Sequence, residues 1–102
     1  ETLSALAKSA GFANLRELNF YRTNITGKSI KVLAKSKVLK KVKHLNLARN
    51  TLRIDAALAL AGTKTLTNIE TLLMFDTLIT DAGAKAILDS PSFANLKTLQ
   101  MT

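Results

Sequence analysis

The chain has 102 residues, 47% of them hydrophobic, with 15 Lys and Arg against 7 Asp and Glu, a formal net charge of +8. It has no cysteine, which excludes disulfides and thiolate metal sites, and no apolar run of about 18 residues, which excludes a membrane-spanning helix. This composition predicts one small domain with a thin core, in a reducing compartment such as the cytoplasm.

The first predicted element is a helix over residues 1–8, which belongs to a repeating unit. Its apolar residues Leu3, Leu6 and Ala7 return 27 positions later as Ile30, Leu33 and Ala34. Because the chain opens within a repeat, lacks an initiator Met and has no signal-peptide pattern, residues 1–102 are predicted to be one domain of a longer repeat or multidomain protein. Residues 8–14 then form a loop that should bury Phe12 in the core.

The next element, a strand over residues 16–21, carries the clearest repeat. Apolar residues return every 27 positions in four columns: Leu15, Val42, Ile69 and Leu96; Leu18, Leu45, Leu72 and Leu99; Phe20, Leu47, Met74 and Met101; and Phe12, Leu39, Leu66 and Phe93. The same spacing predicts strands over residues 43–48, 70–75 and 97–101. Side chains along a strand point alternately to its two faces, so the columns that begin with Leu18 and Phe20 are predicted to face the core and the residues between them to face outward. The Leu18 column should therefore be buried.

A helix is predicted after each of the first three strands. The predicted ranges are 28–36 with Thr26 as N-cap, 55–61 ended by Gly62, and 82–89 stopped by Ser90 and Pro91. Strands that alternate with helices in short units of equal length are typical of an α/β repeat fold with a parallel sheet.

The columns spell L-x-x-L-x-L-x-x-N-x-L, and with Asn50 at the asparagine position the chain resembles the leucine-rich repeats. The length of the unit and the Asp-Ala-Gly of residues 81–83 are similar to the ribonuclease-inhibitor-like subclass. The chain departs from the pattern at residues 54–56, Ile-Asp-Ala, and at Thr23 and Thr77, where a hydroxyl can still bond nearby backbone. The resemblance implies a horseshoe-shaped solenoid segment of 27-residue repeats, with parallel strands on the concave face, helices on the convex face and partner binding on the concave side.

Few residues suggest catalysis. His44 is the only histidine, and without a cysteine a catalytic triad would have to be built around it alone. It falls at an outward strand position, where it is either a solvated surface residue or a partner contact. The acidic residues are scattered over different repeats, Asp55 and Asp81 fall at helix starts, and the four glycines are isolated turn residues. The sequence therefore predicts a non-catalytic protein without a metal or a cofactor.

The predicted function is binding of a protein partner on the concave sheet face. The residues that the repeat places there or at its edge are Glu17, Asn19, Tyr21, His44, Asn46, Arg49, Leu73, Phe75, Asp76 and Gln100. Leu73 and Phe75 are large apolar groups at outward positions, where they form a binding patch, cover the sheet or contact further repeats. Tyr21 and Phe75 lie two repeats apart, so their rings are predicted to be about 10 Å apart across a dip at Ala48.

A basic stretch offers an alternative function. No acidic residue lies between Glu17 and Asp55, and the lysines within that interval are Lys28, Lys31, Lys35, Lys37, Lys40, Lys41 and Lys43. These lysines would suit an acidic partner such as nucleic acid or anionic lipid, although the chain has no nucleic-acid motif and a lysine-rich helix face is often only solvated. The last strand has no following neighbour, so self-association through the open ends of the repeat is also expected.

Overall fold

The computed structural model describes residues 9–101 of the chain; the helix predicted over residues 1–8, and Thr102, lie outside the described residues. Within the described part are four strands, three helices and two 3-10 turns. They run, in chain order, as a 3-10 turn (Ala10–Phe12), β1 (Glu17–Asn19), α1 (Gly27–Leu33), β2 (His44–Asn46), α2 (Arg53–Ala61), β3 (Thr71–Leu73), α3 (Thr80–Leu88), a second 3-10 turn (Pro91–Phe93) and β4 (Thr98–Gln100). The architecture is α/β, as the sequence predicts.

The four strands form one parallel sheet in the order β1-β2-β3-β4. Its central register aligns Leu18, Leu45, Leu72 and Leu99, each 27 residues after the last. Each strand is three residues long and lies within its predicted range. Backbone hydrogen bonds between neighbouring strands continue beyond these residues; for example, Phe20 N donates to Asn46 O at 2.8 Å. Neighbouring parallel strands need a crossover connection, and each helix lies in one of these connections.

The core lies between this sheet and the three helices. Side chains with 0% or 1% exposure include Ile30, Leu33, Leu39, Leu45, Leu47, Leu60, Ile69, Leu72 and Ile87. The Leu18 column is buried as predicted from Leu18 to Leu72, whereas Leu99 on the edge strand is half-buried. The helices cover one face of the sheet, and no element within residues 9–101 covers the other.

Helices α2 and α3 pack closely because small residues line their contact. Gly83 is buried, and a Cβ at this position would lie 3.0 Å from the Cβ of Ala57 and 3.1 Å from that of Ile79. A Cβ at these distances would push its neighbours away by a few tenths of an ångström, so the glycine lets α3 approach α2 closely. Ala56 and Ala57 of α2 are fully buried.

The helix boundaries differ from those predicted. Helix α1 ends at Leu33 rather than at residue 36, because the following residues form a turn with hydrogen bonds between residues three apart. Ser36 N donates to Leu33 O at 3.1 Å, and Ser36 Oγ accepts from Leu39 N at 3.2 Å. Helices α2 and α3 begin two residues early, at Arg53 and Thr80. Both residues have a φ of 66°, in the left-handed region, so regular right-handed geometry starts one residue later.

Two local predictions are corrected in the first repeat. Thr26 is the N-cap residue of α1, as predicted, but its side chain makes no capping hydrogen bond. Phe12 is 40% exposed rather than buried, whereas Phe93 in the same column is 5% exposed. The 3-10 turn that carries Phe93 packs against α2, which accounts for the burial of that ring.

Side chains of one column, Thr23, Asn50 and Thr77, tie down the turns after the strands. Asn50 is 4% exposed, and its Oδ1 accepts from Thr23 N at 3.0 Å. Its Nδ2 donates to the backbone oxygens of Phe20, Leu47 and Ala48 at 2.8, 2.9 and 3.2 Å. Thr23 and Thr77 donate to the carbonyl three residues back, at 2.7 and 2.6 Å. The prediction that the hydroxyls of Thr23 and Thr77 can still bond nearby backbone is confirmed.

Two hydroxyl residues of a second column, Thr63 and Ser90, connect neighbouring repeats on the helix side of the fold, and Ser36 is the third member of that column. Thr63 is 3% exposed and donates to Ala34 O at 2.6 Å, and Ser90 donates to Ala61 O at 2.5 Å. Each bond satisfies a carbonyl at the C-terminus of the helix one repeat earlier, where the last carbonyls lack intrahelical partners. The column recurs every 27 residues in the sequence, but its role becomes evident only in the structure.

Leu78 occupies a strained position, and its replacement should stabilise the fold. It has a φ of 60°, uncommon for leucine, and is 58% exposed, while Asn24 in the same column has a φ of 61°. Asparagine tolerates this region better, so Leu78→Asn is expected to raise the free energy of unfolding by roughly 0.5–1 kcal/mol. Urea denaturation measures the change, with Leu58→Asn as control, because Leu58 is 52% exposed but lies in α2, where asparagine is unfavourable. A loss of stability in Leu78→Asn would contradict this view of Leu78.

Candidate protein-binding surface

The sheet face opposite the helices, here called the open face, presents the outward side chains of the four strands. They are Glu17 and Asn19, His44 and Asn46, Thr71 and Leu73, and Thr98 and Gln100. Along β1 the residues are exposed, buried and exposed in turn, which is the alternation expected of a strand covered on one side. The open face is the surface predicted to be concave, and the ten predicted partner-binding residues lie on it or just after its strands.

The turns after the strands place charges at the edge of the open face. Arg49 and Asp76 follow β2 and β3 and are exposed, and Arg22 holds the equivalent position after β1. All three are left-handed, with φ values of 49° at Arg22, 58° at Arg49 and 57° at Asp76. The chain turns away from the sheet at this column, so two positive charges and one negative charge lie beside the open face.

Tyr21 and Phe75 pack against each other on the open face, beyond the ends of β1 and β3. Their ring centroids lie 6.2 Å apart with the planes at 53°, a tilted geometry that aromatic pairs favour. The predicted separation of about 10 Å, based on strand spacing alone, is therefore wrong. Ala48, at the equivalent position just after β2, is small and fully buried, so the rings lean together over it. The pair forms an apolar patch in which Tyr21 remains 39% exposed.

A shallow cavity of about 210 Å³ lies on the open face. The side chains around it include Glu17, Asn19, His44, Asn46, Thr71 and Leu73. Leu73 and Phe75 are half-buried, although the repeat predicts exposed positions for both. Leu73 lines this cavity, and the ring of Phe75 lies against Tyr21. The cavity is smaller than the roughly 300–1,000 Å³ of small-molecule sites, so its size suits one side chain of a partner.

Asn19 and Asn46 are held in matching orientations on the open face. The Oδ1 of Asn19 accepts from Tyr21 N, and the Oδ1 of Asn46 accepts from Ala48 N, both at 3.0 Å. Each bond joins a residue to the one two positions on, so each side chain folds along its own strand. The two asparagines are register partners on β1 and β2. The repeat spacing predicts their shared face but contains no signal for fixed carboxamides.

The basic residues divide between the helix surface and a loop. Lys28, Lys31 and Lys35 are exposed on α1 and just after it, and Lys31 and Lys35 line a groove of about 500 Å³ with Asp55 of α2. The others lie in the loop that leads into β2: Lys37, Lys40, Lys41 and Lys43. A neighbouring cavity of about 710 Å³ brings Arg53, which the predicted basic site omits, together with Lys28 and Lys31.

Two lysines of the predicted basic stretch, Lys41 and Lys43, have polar neighbours. Lys43 is half-buried, and its Nζ lies 3.8 Å from Oε2 of Glu70, whose Oε1 lies 3.6 Å from Nζ of Lys97. Lys41 donates to Oδ1 of Asn14 at 3.0 Å. Ion pairs within residues 9–101 do not involve the lysines of α1. Lys43 thus belongs to a row of alternating charges before the strands, separate from the α1 lysines.

Helix α3 differs from α1 in its charge. Lys85 Nζ lies 2.5 Å from Asp89 Oδ2, and the hydrogen bond and the charge of Asp89 raise the pKa of Lys85 above its ordinary value. Lys85 shares a repeat column with Lys31 and Leu58. At this column α1 carries a lysine without an ion pair in residues 9–101, α2 carries an apolar side chain, and α3 carries a lysine paired with Asp89. Uncompensated positive charge on the helices is therefore concentrated at α1.

No family model matches the sequence, and no curated protein matches it significantly. Among solved structures, the chain is similar to Leiomodin-1 Actin-Binding Site 2 (ABS2), with a TM-score of 0.81 and 21% sequence identity. The match covers 98% of this chain and 60% of that one, so this chain spans 60% of the length of its structural neighbour. At this level of identity the likeness establishes the fold alone.

Three further properties of the described part of the chain bear on other kinds of site. Within residues 9–101, no group of three His, Asp or Glu side chains lies close enough together to hold a metal ion. The helices there are too short and too polar to cross a bilayer. Every buried side-chain nitrogen or oxygen in the described residues has a hydrogen-bond partner, so their core holds no orphaned polar group.

Proposed function

We propose that the chain is a non-catalytic segment of a leucine-rich-repeat solenoid that binds another protein on the open face of its sheet. The observation that carries the proposal is the Tyr21–Phe75 pair, an aromatic patch beside the polar row of Asn19 and Asn46. Aromatic residues are enriched in protein interfaces and contribute much of their binding energy. Tyr21 is 39% exposed and so has side-chain surface for a partner to bury.

Three features support the repeat family within this proposal. The strands pair with an offset of 27 residues, a helix follows each of the first three, and Asn50 bonds to backbone in the turn after β2. These are features that the resemblance to the leucine-rich repeats implies. A solenoid sets equivalent positions of successive strands side by side, and this arrangement builds a continuous binding face from short units.

Actin is the first partner to test. The structurally similar Leiomodin-1 Actin-Binding Site 2 is by its name an actin-binding segment, and this chain matches its fold over 98% of its own length. A shared fold does not determine the partner, because binding depends on the side chains that each surface carries. The test therefore combines actin with variants of the open face.

Replacement of Tyr21 and Phe75 together by Ser should weaken partner binding by at least about tenfold, because a buried aromatic anchor often contributes about 2 kcal/mol or more. Binding is measured by cosedimentation with filamentous actin and by capture from cell extract on the immobilised chain. Leu58→Ser with Leu88→Ser is the matched control, since both leucines are more exposed than Tyr21 and belong to the helices.

Circular dichroism of each variant reports whether it is folded, so a loss of binding can be assigned to the surface. Unchanged binding by the folded Tyr21 and Phe75 variant would reject the open face as the site. Capture of other partners without any binding to actin would reject actin and retain the open face, provided that the same variant loses that capture.

The α1 lysines favour a second candidate function, binding of an acidic partner such as nucleic acid or anionic lipid. Lys28, Lys31 and Lys35 are exposed, and no ion pair within residues 9–101 involves them. Binding through these lysines should fall steeply as salt rises, whereas binding through the aromatic patch should change little. Loss of binding in Lys31→Glu with Lys35→Glu, but not in the aromatic variant, would favour this function over the first.

A further inference from the structure

The Asn19 and Asn46 side chains each have one carboxamide atom fixed by the backbone. A backbone N–H only donates, so the atom that accepts from Tyr21 N or Ala48 N must be the oxygen, Oδ1. That leaves Nδ2, with its two N–H groups, as the free end of each side chain. Within the described part of the chain, neither Nδ2 donates a hydrogen bond to a protein atom.

The two free amide groups are neighbours on the open face. Asn19 and Asn46 are register partners, and adjacent strands lie about 4.8 Å apart. Both side chains fold toward the C-terminal ends of their strands, because each bonds to the residue two positions on. Two donor groups therefore lie side by side in fixed orientations, next to the Tyr21–Phe75 pair. Donors that are already ordered bind an acceptor at a lower entropic cost than mobile ones.

We propose that this asparagine pair receives a carboxylate of the partner protein, from an Asp or Glu side chain, while an adjacent apolar side chain of the partner packs on Tyr21 and Phe75. A carboxylate has two acceptor oxygens, so each oxygen takes one N–H from one asparagine. The inference rests on the proposed open-face function and adds the chemistry of the partner segment, which is an acidic residue beside an apolar one.

Charge favours a carboxylate over a neutral acceptor at this place. The chain has a net charge of +8, and Arg22 and Arg49 are exposed in the turns after β1 and β2, the two strands that carry the asparagines. Glu17 lines the same cavity as the two asparagines and repels a carboxylate, whereas Arg22 and Arg49 attract one. On β3 the column holds Leu73 and the turn holds Asp76, so the donor pair and its basic surroundings are confined to β1 and β2.

Two peptides that differ in a single group test the inference. N-acetyl-Leu-Asp-Leu amide carries the carboxylate, and N-acetyl-Leu-Asn-Leu amide is its neutral match. Each is titrated into the isotope-labelled full chain at about 0.15 M salt, and NMR follows the side-chain NH₂ signals of Asn19 and Asn46 and the backbone amides. The acidic peptide is expected to shift both NH₂ signals and to bind about tenfold more tightly than the neutral peptide, because its hydrogen bonds are charge-assisted.

Variants at Asn46 test whether its NH₂ group, rather than its Oδ1, is needed for binding. Asn46→Asp keeps an oxygen for Ala48 N but replaces the NH₂ group by a negative charge, so affinity for the acidic peptide should fall at least about tenfold. Gln100→Glu is the matched control, because it makes the same change of charge in the same column two strands away, and it should alter affinity by less than about twofold. Asn46→Leu removes the donor without adding charge and should abolish the preference for the acidic peptide.

The outcomes separate this inference from the function on which it rests. Equal binding of both peptides at the open face would overturn the carboxylate site and leave open-face binding standing. Acidic-peptide shifts confined to α1 would overturn it in favour of the lysines. An absence of shifts with either peptide would also overturn the carboxylate site, while the actin and extract assays with the Tyr21 and Phe75 variant test the open face independently.

Discussion

Leu72→Ala is expected to lower the free energy of unfolding by roughly 2–5 kcal/mol. Leu72 is 0% exposed in the middle of the sheet, with Leu45 aligned on one side and Leu99 on the other. The cavity left by the substitution cannot close easily, because hydrogen bonds hold both neighbouring strands in register. A domain of this size has a total stability of about 5–15 kcal/mol, so the substitution removes a large part of it.

Urea denaturation followed by circular dichroism measures this loss, and Leu99→Ala is the matched control. Leu99 belongs to the same column but lies on the edge strand β4 and is half-buried, so the same truncation removes less buried surface. A smaller loss is expected there. Equal losses at Leu72 and Leu99, or no loss at Leu72, would contradict a core that is continuous along the sheet and thins at its edge.

Asn50→Ala is expected to destabilise the chain by about 1–3 kcal/mol, the cost of buried polar groups left without partners. The side chain is 4% exposed and connects two repeats, because it bonds Phe20 O and Thr23 N of the first and Leu47 O of its own. Alanine removes all of these bonds at a place where little water can replace them. Thermal unfolding followed by circular dichroism measures the effect.

Asn50→Thr distinguishes the bonds between repeats from the bond within the turn. Thr23 and Thr77, in the same column, each donate to the carbonyl three residues back. A threonine at position 50 should therefore keep the bond to Leu47 O and lose those to the first repeat, which predicts an intermediate loss of stability. An unchanged melting temperature in Asn50→Ala would show that this column does not stabilise the turns.

The repeat spacing predicts most of the architecture because residues stacked in a parallel sheet must match those above and below them. The column from Leu18 to Leu99 is continuous only if the strands pair in one register, so the spacing determines pairing, register and buried face together. Helix boundaries are harder to predict. Arg53 and Thr80 begin their helices with left-handed φ values that neither residue type favours, and only the surrounding turn determines them.

The candidate site is predicted from the sequence only as a set of outward-facing side chains. Alternation along β1 places Glu17, Asn19 and Tyr21 on the open face, and all three are exposed there. The contact between Tyr21 and Phe75 is missed because strand spacing gives backbone positions and does not include how far two rings lean over a small residue. The fixed carboxamides of Asn19 and Asn46 are missed because the repeat spacing predicts where a residue lies in the sheet but does not determine its side-chain rotamer.

Tyr21 is the only tyrosine in the chain, and the chain has no tryptophan. Its fluorescence is therefore free of energy transfer to indole and comes from one position on the open face. Because its ring packs against Phe75, two strands away, both a movement of β1 relative to β3 and burial beneath a ligand change the surroundings of this single fluorophore. The unlabelled chain thus carries an optical reporter at the surface where binding is proposed.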